Sequence, residues 1–154
     1  QWLMGPVASV VAFANTAAQE MELEDVSGVL FNFKSGAVGV VEANVSAFPN
    51  LPLEFGLYGT KGSVKIEGLD ISRWELQNNF AHPVEEFRNK SAGLPQAALK
   101  ALGHVRQIED MVSAVKDGRD PVINGEEARK SVELILAAYE SARTRRETVL
   151  PSGA

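Results

Sequence analysis

Along residues 41–46 the chain alternates: Val41, Ala43 and Val45 on one side, Glu42, Asn44 and Ser46 on the other. A period of two is that of a strand with one dry face. The alternation sits in a β-rich run from Ala37 to Phe48, preceded by another from Val26 to Phe33. Ser35-Gly36 between them supplies the positive-φ residue that a two-residue hairpin turn demands. A second pair, Leu53 to Gly59 and Ser63 to Gly68, is joined at Lys61-Gly62, and a further strand is expected from Ile71 to Gln77. Val7 to Thr16, rich in Val, Ala and Phe with little helical period, reads as the first strand, and the acidic residues from Glu20 to Asp25 mark a connection. Strands in hairpin order give a mainly antiparallel sheet.

Toward the end of the chain the period changes. Val105, Ile108, Met111, Val112 and Val115 recur at helical steps until Gly118 closes the segment. Ala128, Val132, Ile135, Tyr139 and Ala142 repeat the pattern on a second helix, which Asn124 opens as N-cap with Glu127 behind it. With each helix offering one apolar stripe to one sheet face, the expected architecture is an α+β two-layer sandwich, an open, mainly antiparallel sheet with helices on one face. The stretch from Phe80 to Leu102 is the least readable, with Pro95 the natural opening of a short helix. Trp2-Leu3-Met4-Gly5-Pro6 reads as the last apolar turn of a helix, since Gly followed by Pro is how helices stop. A chain that opens in this way, on Gln1 rather than Met, is expected to have lost what came before it.

Composition narrows the class. With 154 residues and 45% hydrophobic content, the default is one self-sufficient core, and residues 1–154 are read as a single domain. The net charge of -5 offers no positive field to collect phosphates, which argues against a nucleic-acid partner. No cysteine is present, no apolar run approaches the ~20 residues of a membrane span, and the start carries no basic leader, so no membrane and a cytoplasmic address are expected. Asn44-Val45-Ser46 and Asn89-Lys90-Ser91 fit the glycosylation sequon without any secretory context. Gly56, Gly59 and Gly62 match neither the Rossmann nor the P-loop spacing and read as turn glycines. His82 and His104 stand far apart without a ligand motif, so no metal site is expected.

Three ordered blocks near the C-terminus carry a resemblance: His104-Val105-Arg106-Gln107-Ile108-Glu109-Asp110-Met111, then Val115-Lys116-Asp117-Gly118-Arg119-Asp120-Pro121, then Gly125-Glu126-Glu127-Ala128 with Tyr139-Glu140-Ser141-Ala142-Arg143. Upstream, Leu57-Tyr58-Gly59-Thr60-Lys61-Gly62-Ser63 is similar to a Gly-Thr-x-Gly hairpin of the same family, and Trp2-Leu3-Met4-Gly5-Pro6-Val7 to the segment after its catalytic helix. Over essentially its whole length the chain resembles the C-terminal domain of the glucose–fructose oxidoreductase/inositol dehydrogenase/MocA (Gfo/Idh/MocA) family.

The resemblance implies a two-domain parent enzyme. Its N-terminal Rossmann domain binds NAD or NADP, and its C-terminal open sheet shapes the pocket for a sugar, cyclitol or similar polyol and makes the subunit contacts of a homo-dimer or tetramer. The family's Glu-Lys-Pro lysine has no counterpart in this chain, and the Asp and His of the preceding helix should lie upstream of Gln1. The chain alone is therefore expected to hold no catalytic residue, to bind no cofactor and to be inactive. Phe48 and Asn50, in the proline-stiffened loop Phe48-Pro49-Asn50-Leu51-Pro52, and His104, at a helix start, match substrate-side places of the family. The plainer alternatives are a rigid connection and a half-exposed helix residue. For the chain as a whole the rival is a stand-alone, non-enzymatic dimerisation or ligand-binding module of the same fold. Glu42, Asn44 and Ser46 admit an acid–base reading, but a subunit-facing sheet surface explains them as well and is preferred. Arg143, Arg145 and Arg146 complement the helix dipole and need no ligand.

Overall fold

The Val-, Ala- and Phe-rich runs become strands as their alternation requires: β1 (Val7–Asn15), β2 (Val26–Phe33) and β3 (Val38–Asn44). The computed structural model describes residues 1–49, 51–68, 70–78 and 96–151, the side chains of 96–102 excepted. The chain divides into two compact units, one of Gln1–Phe48 with Ser113–Ala154 and one of Pro49–Val112.

In the first unit a four-stranded antiparallel sheet runs in the order β3-β2-β1-β7, where β7 is the short strand Thr148–Val149. The β2–β3 turn holds three residues rather than two. Phe33 N–H donates to the Ala37 carbonyl at 2.9 Å, and Gly36 adopts φ +86° between them. A three-residue loop ending in a left-handed glycine is the next commonest hairpin solution.

The helix Gly125–Thr144 packs on β1. Asn124 caps it as expected, its side chain accepting the Glu127 N–H at 3.0 Å, and Arg145 ends it at φ +57°. The core lies on the helix side of the sheet: Val7, Val10, Phe33 and Leu150, with Met4, Val29, Phe31, Leu134 and Ala137 packed against them. Leu134, Ala137 and the fully buried Ser141 thus form the sheet-facing stripe. The predicted stripe is on the opposite side. At about 100° per residue, Val132, Ile135, Leu136 and Tyr139 point away from Leu134 and Ala137, and they are between 42% and 60% exposed. Both faces of this helix are apolar, so periodicity detects the helix without telling which face turns inward. The small side chains of Ala137 and Ser141 suit the face nearest a strand.

The other helix, Gln96–Asp117, precedes it in the chain; the two are α1 and α2 in that order. It starts well before the expected His104 because Gln96-Ala97-Ala98-Leu99-Lys100-Ala101-Leu102 consists of strong helix formers; Pro95 lies outside the described residues. Gly118, at φ +63°, closes α1, and Arg119 N–H returns to the Ala114 carbonyl at 3.1 Å, the Schellman arrangement. The expected inward stripe of Val105, Ile108, Met111, Val112 and Val115 is exposed, whereas Ala114 on another side of the helix is buried. Neither described helix is long and apolar enough to cross a membrane.

The second unit holds a three-stranded antiparallel sheet, β4 (Glu54–Gly59), β5 (Gly62–Glu67) and β6 (Asp70–Leu76), in that order. Gly59 pairs with Gly62, leaving Thr60-Lys61 as the turn. A Cβ on Gly62 would stand 2.4 Å from the Glu75 carbonyl oxygen, so the close approach of β6 requires glycine there. The two helices and two antiparallel sheets of the described residues give the α+β class anticipated, with the strands divided between two sheets.

Candidate functional site

Of the three residues matched to substrate-side places, Phe48 follows β3 at the end of the first unit and is 98% exposed. His104 is exposed on α1 in the second unit, inside the helix rather than at its start, because α1 begins at Gln96. Asn50 lies outside the described residues.

The polar face of β3 resolves into a local network. Asn44 Oδ1 accepts the Ser46 N–H at 2.8 Å, and Ser46 Oγ accepts from Gln19 Nε2 at 3.0 Å and approaches Asp25 Oδ2 at 3.4 Å. Asp25 is the centre of this group and is 2% exposed. Its carboxylate accepts the backbone N–H groups of Ala17 and Ala18, each at 2.7 Å, and of Gln19 at 2.9 Å. These donors, Ala17 foremost, hold the carboxyl below its ordinary range. A carboxylate so furnished with donors is a poor proton acceptor, so Asp25 anchors the 16–24 loop to the sheet and is not a general base. Nothing in the sequence separates Asp25 from Glu20, Glu22 or Glu24.

Between β1–β3 and α2 lies a cleft of about 210 Å³ whose walls include Ala12, Val29, Phe31, Val41, Leu134 and Ile135. At its rim the Tyr139 hydroxyl donates to Glu24, at 2.8 and 3.0 Å to the two carboxylate oxygens. That bond to Glu24 raises the phenol above its ordinary value by stabilising the protonated form. The cleft is suited to an apolar group.

Across the sheet from α2, alternation and register place Val11, Leu30 and Val40 side by side, with Phe13 and Val38 flanking them. Val38 and Val40 are 70% and 73% exposed, and Leu30 and Phe13 about half exposed. Glu42, opposite Gly28, shares this face. Contiguous exposed apolar side chains on one sheet face are the signature of a contact surface. Within the basic run, Arg143 pairs with Glu140 at 2.8 Å and the Arg145 guanidinium stands 5.4 Å from the centre of the Phe13 ring. In the second unit Lys65 bridges Glu54 at 3.1 Å and Glu67 at 2.7 Å, the Glu67 bond chiefly raising the Lys65 pKa. Exposed pairs of this kind add little stability.

Comparison with known proteins follows the same outline. The sequence model of the Gfo/Idh/MocA C-terminal domain matches residues 1–65. The WlbA dehydrogenase from Bordetella pertussis, solved in complex with NADH and UDP-GlcNAcA, is 28% identical with a TM-score of 0.83, over 98% of this chain and 44% of its own. The WlbA dehydrogenase from Chromobacterium violaceum, solved with the same two molecules, is 31% identical with a TM-score of 0.78, over 99% of this chain and 43% of its own. Levoglucosan dehydrogenase, in complex with NADH and levoglucosan, shares the fold at a TM-score of 0.70 and 18% identity, over 97% of this chain and 46% of its own. The chain thus spans less than half the length of these solved structures. A search of curated protein sequences gave no match. On the match over residues 1–65 and the fold shared along nearly its whole length, this chain is a C-terminal domain of the Gfo/Idh/MocA oxidoreductase family.

Proposed function

We propose that this chain is the substrate-side and oligomerisation domain of a cytoplasmic NAD(P)-dependent oxidoreductase that acts on a CH–OH group of a sugar, cyclitol or similar polyol. The observation that carries this reading is the likeness to the two WlbA dehydrogenases, each solved with NADH and UDP-GlcNAcA and each matched along nearly all of this chain. Their ligand makes nucleotide-activated sugar acids the first substrates to test.

The described residues do not fit a dinucleotide. Gly56, Gly59 and Gly62 belong to the β4–β5 hairpin, where the Glu75 carbonyl already fills the space beside Gly62, and no glycine turn of the phosphate-binding kind precedes α2. The nicotinamide chemistry and the proton-transfer groups therefore belong to the upstream half of the parent protein. Within this chain, Phe48 offers an apolar wall, Asn50 an amide, and His104 an imidazole that can both donate to and accept from a hydroxyl. The open face bearing Val38 and Val40 offers the surface for a second copy, giving a dimer or tetramer.

The test is to express the whole reading frame and follow nicotinamide reduction with UDP-sugar acids and free polyols, beside calorimetry of NADH and NADPH on the 154-residue chain alone. Turnover by the former and no binding by the latter are expected. Micromolar binding to the isolated chain, or a parent that binds no nicotinamide, would refute the proposal. A start codon at the upstream edge of this domain would instead favour a stand-alone module.

A further inference from the structure

Asn124 is the one asparagine in the sequence that is followed by glycine. An asparagine carboxamide is open to attack by the backbone nitrogen of the next residue, which closes a five-membered ring, and a side chain on that next residue obstructs the approach. Gly125 has none. It is also exposed, and nothing stands within 4 Å of where its Cβ would be, so solvent and base reach the nitrogen. The Gly125 N–H opens α2 and is among the N–H groups for which the helix has no carbonyl. The positive end of the helix dipole lowers the cost of the anion formed when that N–H gives up its proton. One contact acts in the opposite sense. Asn124 sits at φ -84° and ψ 178°, and its Oδ1 accepts the Glu127 N–H at 3.0 Å. A nearly flat ring of Cα, Cβ, Cγ, the Gly125 nitrogen and the Asn124 carbonyl carbon cannot close until ψ turns from that value and the bond to Glu127 is given up.

We propose that Asn124-Gly125 is a site of spontaneous deamidation and that the hydrogen bond from Glu127 sets its rate. In the uncapped conformer the deprotonated Gly125 nitrogen attacks Asn124 Cγ. The N–Cγ bond forms, the Cγ–Nδ2 bond breaks, and Nδ2 takes up a proton from water and leaves as ammonia. Water then opens the resulting succinimide at one of its two carbonyls. Opening at Cγ restores the chain with aspartate at 124, whereas opening at the backbone carbonyl leaves isoaspartate, through whose side-chain carbons the chain then runs. This chemistry needs no oxidant and nothing from the upstream half of the parent. The two products differ in what they do to the fold. Aspartate is as good an N-cap as asparagine, and its charge suits that end of the helix. Isoaspartate lengthens the backbone by one carbon and shortens the arm that carries the carboxylate. It therefore removes the cap from the helix that packs on β1 through Leu134, Ala137 and Ser141.

The whole protein is to be aged at physiological temperature and mildly alkaline pH and followed by peptide mass spectrometry, which reads the exchange of an amide for a carboxyl as a gain in mass. Isoaspartate is scored by methyl transfer with a protein isoaspartyl methyltransferase. The peptide holding Asn124 should gain mass before any other asparagine peptide, and part of it should accept methyl groups. Gly125→Ala should slow the gain about tenfold or more by placing a Cβ on the attacking residue. The open space around Gly125 admits that Cβ, so the variant keeps the fold. Glu127→Pro removes the N–H that holds Oδ1, in the first turn where proline is tolerated. It should speed the gain about 2- to 30-fold, the factor by which a cap of ordinary strength favours the closed conformer. The native sequence in urea, where no molecule keeps the cap, should be faster by at least the same factor, and this comparison serves if the proline variant does not fold. An Asn124 peptide that keeps its mass while other asparagines gain, or a rate unaltered by Gly125→Ala, would overturn the proposal. Equal rates in native and urea-treated protein would overturn the part assigned to the cap.

Discussion

Ser141 shows what one small residue on α2 does for the sheet. Its side chain is fully buried, accepts the Ala12 N–H at 3.0 Å and donates to the Arg146 carbonyl at 2.6 Å. β7 pairs only with Ser9 and Val10, so the Ala12 N–H lies past the end of that ladder and would otherwise be buried without an acceptor. Ser141→Ala strands both groups and should cost about 1–3 kcal/mol in urea unfolding. Asp25 makes a different prediction. Its folded pKa lies below the ordinary value of 3.8, so its contribution is present above that value and is lost as pH falls through the lower, folded value. Urea midpoints measured through the acid range should fall less steeply with pH in Asp25→Asn than in the native chain. Neither residue could be singled out from sequence. Ser141 is one polar residue among several in a helical stretch, Asp25 one of several acids in a loop, and the partners of both are fixed only by the fold.

Elements were legible where one signal dominated. The β2–β3 and β4–β5 hairpins follow from alternation and a glycine at the turn, and Asn124 with Glu127 marked the start of α2. Asn124→Ala should lower stability by about 0.5–2 kcal/mol, read in thermal unfolding. Competing signals misled. Pro95 is read as opening a short helix of its own, whereas one helix runs from Gln96 through to Asp117, and β7, with two residues, is too short for alternation to register. In α2 two apolar stripes of equal period left the inward face undetermined, and the choice turned on the small residues Ala137 and Ser141. The sheet face opposite α2 behaved as alternation says, with Val38 and Val40 exposed together. Val40→Lys should convert an assembled parent to monomers in sedimentation, since a charge at the centre of a subunit contact is poorly tolerated. An unchanged assembly would place the contact elsewhere.

For the molecule as a whole, fold class followed from residue pattern, but function did not. Phe48, Asn50 and His104 were singled out by likeness to a family, because exposed residues that await a partner or a ligand leave no periodic trace. In the parent, Asn50→Ala and His104→Ala should raise KM about two- to tenfold and leave kcat nearly unchanged, as when a neutral hydrogen bond made equally in ground and transition states is lost. Steady-state kinetics would check this, and a large fall in kcat with KM untouched at His104 would move that residue into the chemistry.

The seam between β1 and Leu150 sets an order of events during synthesis. Leu150 is buried with Val7, Val10 and Phe33, and its N–H donates to the Ala8 carbonyl at 2.9 Å. β1 thus waits for α2, made much later, to cover it and for Leu150 to close it. Contacts of such sequence separation form slowly. Until α2 and Leu150 are in place, β1–β3 exist as an uncovered hairpin sheet, apolar on both faces, and during this interval the nascent domain is exposed to aggregation and in need of a chaperone.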